Sequence, residues 1–210
     1  FLYPTVLISV AALLSIWHNV QGPGPWTPAR VNINALVFAV GAPLWMAAGT
    51  VLNRLRGPVS LLNTPARQMS VVLALISLGF FLVLAACPAW QTPPWSPDDS
   101  PARLVLGTAC GGLLTLHFVW AAVSFRRTGW IYFSELSALG LVLLVSGRTG
   151  LWDVELVQRQ WPLMAAFLSV GFLLVSLVLE KFRHILFSRP LYYTSVYVLP
   201  LAVLAGALLG

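Results

Sequence analysis

Glu135 is the residue of this chain best placed to do chemistry. Among 12 Lys+Arg and 6 Asp+Glu residues, it alone sits inside an apolar run rather than in a connection or at a segment end. A carboxyl held within hydrocarbon is costly and by default marks a functional site. His117 lies in the preceding apolar segment. Counting from the connection Arg126-Arg127-Thr128-Gly129, Glu135 sits about two helical turns in and His117 about three, a height difference of roughly 6 Å at 1.5 Å per residue. Side chains on adjacent helices reach across such a gap. A Glu135–His117 pair would relay protons, bind a cation or hold a ligand. The plainer alternative is that Glu135 extends to the headgroups, or pairs with Arg126 or Arg127 and staples the hairpin.

The remaining reactive groups point to less. Two facing histidines would ligate a haem, but His18, His117 and His184 fall at three different depths. Asp98-Asp99 lies in a proline-rich connection, where adjacent carboxylates point apart, so it reads as a solvated turn rather than an acid–base pair. Cys87 and Cys110 read as small buried apolar residues rather than a disulfide. No Cys/His cluster has metal-ligand spacing, and no nucleophile elbow, zinc-protease motif or phosphate-binding glycine loop is present. No catalytic residue, metal or cofactor is therefore assigned; bound lipid is expected.

The elements that would position Glu135 follow from composition. The mean hydropathy is +0.86, 59% of residues are hydrophobic and only 9% are charged. A soluble domain carries about a quarter charged residues, so the class is an integral membrane protein. The expected fold is all-α: a polytopic transmembrane helix bundle forming a single domain over residues 1–210. A span takes roughly 20 apolar residues, which leaves room for about seven. The chain starts and stops inside apolar segments, which suggests a fragment or the ordered part of something longer. The pI near 10.0 does not imply nucleic acid, because basic residues gather in cytoplasmic loops of membrane proteins.

Segment one runs to about Trp17 and is followed by the Pro/Gly link Gly22–Pro28. The second, Asn32–Leu52, contains Pro43 as an expected kink, and the third covers Gln68–Cys87. Proline-rich Pro88–Ala102 leads to the hairpin of Leu104–Phe125 and Trp130–Gly147. Arg148–Gln160 is expected as a connection, then Trp161–Leu179 as segment six. The basic link Glu180–Pro190 precedes segment seven, which runs from Leu191 onward with Pro200 as a second expected kink.

Charge orients the bundle. Connections 53–67, 125–129 and 180–190 hold eight Lys/Arg and one acid, whereas 18–31, 88–103 and 148–160 hold four Arg and four acids. The first set is therefore expected in the cytoplasm, which places the N-terminus inside and the C-terminus outside, as in a bacterial inner membrane. Six of the nine tryptophans (Trp17, Trp26, Trp90, Trp95, Trp152 and Trp161) fall at the outer interface. They form either an interfacial belt or a surface for protein partners. Small residues one turn apart, Gly107 with Gly111 and Ala202 with Gly206 and Gly210, would let helices pack closely. Phe125-Arg126-Arg127 and Phe182-Arg183-His184, each followed by aromatic residues, resemble one another. Any basic helix start looks like this, so chance is preferred to duplication.

Two functions remain. The first is a non-catalytic subunit, anchor or scaffold of a membrane assembly, favoured because buried polar chemistry is scarce. It would touch the bilayer and protein partners through the outer Trp/Pro-rich loops or the small-residue faces. The alternative is a small transporter or channel built on Glu135 and His117. An intramembrane enzyme ranks third.

Overall fold

The computed structural model describes residues 28–55, 61–86, 100–148, 154–201 and 203–204. Six α-helices occur among them: α1 (Pro28–Leu52), α2 (Asn63–Ala86), α3 (Ser100–Phe125), α4 (Gly129–Arg148), α5 (Val154–Lys181) and α6 (Ile185–Tyr193). A π-helical turn, Thr194–Val198, follows α6. No strand is present among the described residues. Three stretches are long and apolar enough to cross a membrane: Val31–Leu52, Asn63–Ala85 and Leu104–Phe125. Segment one, Cys87, His18, the Asp98-Asp99 pair and the packing residues Ala202, Gly206 and Gly210 lie outside the described residues.

Several helices begin earlier than hydropathy predicts. α2 starts at Asn63 rather than Gln68, α5 at Val154 rather than Trp161, and the expected link Glu180–Pro190 shrinks to Phe182-Arg183-His184. Hydropathy marks where apolar surface begins, whereas the helix needs only propensity and unblocked backbone groups. Glu155, Gln158 and Arg159 are good helix formers despite their polarity. Pro28 and Pro65 lie in first turns, where the missing N–H has no helical partner to lose.

The described residues fall into two compact units. Residues within Phe1–His117 and Ser137–Val145 form the first; those within Phe118–Leu136 and Ser146–Gly210 form the second. In the first unit, α1 presents Ala35, Phe38, Ala39, Ala42 and Met46, all buried, against α2, which answers with Leu73, Ala74, Leu78 and Phe81. Residues three, four and seven apart make one helix face. Two serines on that face stitch the pair. Ser70 donates to the Ala42 carbonyl at 2.7 Å, and Ser77 to the Ala35 carbonyl at 2.6 Å. Seven residues forward on α2 match seven backward on α1, as antiparallel helices at a 3.5-residue period require. Asn63 donates to Asn53 at 2.9 Å and ties the hairpin end. There the helices come close: a Cβ on Gly49 would lie 3.2 Å from the Asn63 carbonyl and 3.3 Å from the Arg67 nitrogen.

In the second unit the same device recurs. Ser169 and Ser176 of α5 donate to the carbonyls of Ser195 and Ser188, at 2.6 and 2.9 Å. Again the two positions are seven apart on each side.

The stops of α3 and α5 are also alike. Arg126 (φ 52) and Arg183 (φ 61) adopt the left-handed conformation. The next N–H reaches back five residues in each case, Arg127 to the Ala122 carbonyl at 3.2 Å and His184 to the Leu179 carbonyl at 2.9 Å. This is the Schellman stop, which usually takes glycine at the left-handed position. An L-residue there costs roughly 1–2 kcal/mol. The local likeness of Phe125-Arg126-Arg127 and Phe182-Arg183-His184 therefore has a shared conformation behind it.

Candidate functional site

Glu135 lies on the second turn of α4, in the second unit. Its carboxyl accepts a hydrogen bond from the Thr194 hydroxyl at 2.5 Å on Oε2. Oε1 is buried and has no hydrogen-bond partner among the described residues. Tyr132, one turn earlier on α4, lies within electrostatic range of both Glu135 and Tyr193.

The donor Thr194 opens the π-turn. Leu199 N–H bonds to the Thr194 carbonyl, five residues back. The wider turn brings consecutive residues Thr194 and Ser195 to the buried side, at 8% and 2% exposure. π-turns inside α-helices are rare and occur often at functional sites. The turn has a consequence for the next carbonyl. Continuing the five-residue register would aim the N–H of residue 200 at the Ser195 carbonyl, but residue 200 is proline and has none. Ser169 fills the vacancy with its hydroxyl. Proline, π-turn and interhelical serine form one solution to a single backbone problem.

His117 falls in the first unit, buried to 2% exposure on α3. Its Nε2 lies 3.3 Å from Ser70 Oγ. The only proton of Ser70 goes to the Ala42 carbonyl, so the tautomer with hydrogen on Nε2 is the one that can bond to the serine oxygen. One heptad away, Ser77 Oγ donates to the Ala35 carbonyl and lies 3.7 Å from Cys110 Sγ. By the same reasoning the thiol donates. Ser70 and Ser77 thus each join an α1 carbonyl to a polar side chain of α3.

The sequence-predicted residues are therefore distributed. His117 and Glu135 fall in different units, and each is engaged within its own. Arg126 and Arg127 are exposed on the α3–α4 connection, where they border a groove of about 520 Å³. Gly107 faces Leu144 of α4, and Gly111 faces Phe81 of α2 and Leu141 of α4.

No family model, curated protein or solved structure matches the chain.

No group of three or more His, Cys, Asp or Glu residues could hold a metal among the described residues. Sequence reasoning missed Thr194, Ser70, Ser77, Ser169 and Ser176. The serines had a signal in their seven-residue spacing, Ser70 with Ser77 and Ser169 with Ser176. Thr194 had none. It lies 59 residues from Glu135 in sequence, on a different helix.

Proposed function

We propose that the chain is a non-catalytic subunit, anchor or scaffold of a membrane assembly. The observation that supports this is the use of its hydroxyls. Ser70, Ser77, Ser137, Ser169 and Ser176 all donate to main-chain carbonyls of neighbouring helices. Polar groups used this way fasten helices together and do not line a route for a solute. Apolar residues face outward, among them Phe167 at 71%, Leu174 at 58% and Leu116 at 70% exposure, which suits lipid or a partner's helices.

On this reading the protein is multi-pass. α1, α2 and α3 span, α4, α5 and α6 with its π-turn add three spans, and the N-terminal segment makes seven. The N-terminus is cytoplasmic and the C-terminus outside, in a bacterial inner membrane. Partners dock through the outer Trp/Pro-rich loops or small-residue faces. Cys placed at Asp98 is then labelled by an impermeant reagent from outside; labelling from the cytoplasm alone refutes the orientation. The subunit reading is tested by mild-detergent extraction, native electrophoresis and mass spectrometry of the band. Reproducible partners support it. A lone chain or small homo-oligomer refutes it.

One observation favours a second reading. Glu135 Oε1 is buried and open to a proton or small cation, as a coupling site in a transporter requires. Here Glu135→Gln abolishes flux in proteoliposomes, and unchanged flux sinks the idea.

A further inference from the structure

The α3–α4 connection carries a groove of about 520 Å³ lined by Arg126, Arg127, Thr128, Gly129, Trp130 and Phe133. Four features converge there. Two adjacent guanidiniums are exposed on its rim, and no acidic residue is among its lining residues. The walls are aromatic and held in place: Trp130 stacks on Phe118 at 6.3 Å and tilts against Phe125 and Phe133 at 6.2 and 5.7 Å. Thr128 and Gly129 complete the turn, with a hydroxyl and a backbone free of a Cβ neighbour. Last, Arg126 occupies a left-handed position that glycine fills more easily.

We propose that this groove binds the phosphate headgroup of an anionic phospholipid. Arg127 and Arg126 would contact the phosphate oxygens, bidentately where geometry allows. Trp130 and Phe133 would lie against the glycerol and the first acyl carbons, where amphipathic rings sit at a membrane interface. The proposal rests on the membrane reading and is independent of the subunit reading. Charge complementarity favours an anionic headgroup over a zwitterionic one, because the two guanidiniums match a net negative charge and no carboxylate in the lining offsets them.

The test uses the purified full chain in nanodiscs of phosphatidylcholine with increasing phosphatidylglycerol, and native mass spectrometry to count retained lipid. Wild type should retain phosphatidylglycerol preferentially. Each arginine near a lipid surface is worth roughly a factor of five, so Arg126→Gly with Arg127→Gln should weaken that preference roughly twenty-five-fold. Glycine suits the left-handed position, so this variant folds. Arg183→Gly is the matched control: it removes the same charge from the same kind of turn, away from the groove. Equal losses from Arg126→Gly and Arg183→Gly would mean diffuse attraction and overturn the site. Undiminished preference in the double variant would also overturn it. Displacement of the lipid by millimolar inorganic phosphate would assign the groove to a free anion instead. Failure to enter discs at all would refute the membrane reading; entry without any anionic preference would refute this proposal alone.

Discussion

Gly111 and Gly112 are neighbours on α3 with opposite surroundings, and the contrast makes a sharp test of the packing. A Cβ on Gly111 would lie 2.7 Å from Phe81 Cζ and 3.1 and 3.2 Å from Leu141 atoms; on Gly112 it would meet nothing within 4 Å. Carbon atoms pack at about 3.5–4.0 Å, so the Gly111 methyl is roughly 1 Å too close to the ring. Phe81 cannot retreat easily. It is fully buried, and Gly140 sits on it closely enough that a Cβ there would be 2.8 Å away. Nor can the α3 backbone shift, because the Gly111 carbonyl accepts from Thr115 at 2.8 Å and Ser137 at 3.1 Å. Overpacking of this kind costs roughly 1–3 kcal/mol. Alanine's better helix propensity offsets about 0.5–1 kcal/mol of that. Gly111→Ala should therefore destabilise by about 1–2 kcal/mol, while Gly112→Ala stabilises by about 0.5–1 kcal/mol. Equilibrium unfolding in mixed micelles by added dodecyl sulfate, followed by tryptophan fluorescence, reads both. Two shifts of the same sign, or a gap below about 0.5 kcal/mol between the variants, would refute the close α2–α3–α4 contact in the first unit.

Three further outcomes are expected. Ser77→Ala should cost about 0.6 kcal/mol and no more than about 1.7 kcal/mol in the same unfolding assay, the range for one hydrogen bond between membrane helices; a null effect means the serine ladder contributes nothing. Ser169→Ala should destabilise wild type by about 1 kcal/mol by leaving the Ser195 carbonyl unpaired. In a Pro200→Ala background, where residue 200 regains an N–H, that loss should fall toward zero, and an undiminished loss in the double-mutant cycle would break the link between proline and π-turn. Thr194→Val keeps shape but removes the donor to Glu135, and should cost about 1–3 kcal/mol. With Glu135→Leu in place the same change should be nearly neutral; additive effects would mean that the two side chains do not interact.

The two units repeat one construction. An antiparallel helix pair is held by serines seven apart that bond to the facing backbone, Ser70 and Ser77 in one, Ser169 and Ser176 in the other. Hydroxyls suit this task where apolar side chains gain little by leaving lipid for protein. Each α3 and α5 stop also uses arginine in a left-handed turn.

Composition and hydropathy alone determined the helical class and the approximate positions of α1 to α5, because apolar runs of about 20 residues have few other uses; α6 falls mostly on the expected link Glu180–Pro190. They also singled out Glu135, since a lone acid in such a run is conspicuous in one dimension. The start at Val154 was not legible, because Glu155, Gln158 and Arg159 extend a helix without raising hydropathy; the start at Ile185 was hidden because Lys181, Arg183 and Arg189 make residues 180–190 read as a basic link. The partners of the polar groups were decided by tertiary structure. Glu135 could be found by inspection, but Thr194 could not. Thr194 opens a π-turn just before Pro200, and the Ser195 carbonyl within that turn takes a bond from Ser169 on another helix. Likewise the αL backbone at Arg126 and the aromatic walls beside it depend on how α3 and α4 fold back on each other. A sequence can name a donor and an acceptor; only the packed backbone decides which of them meet.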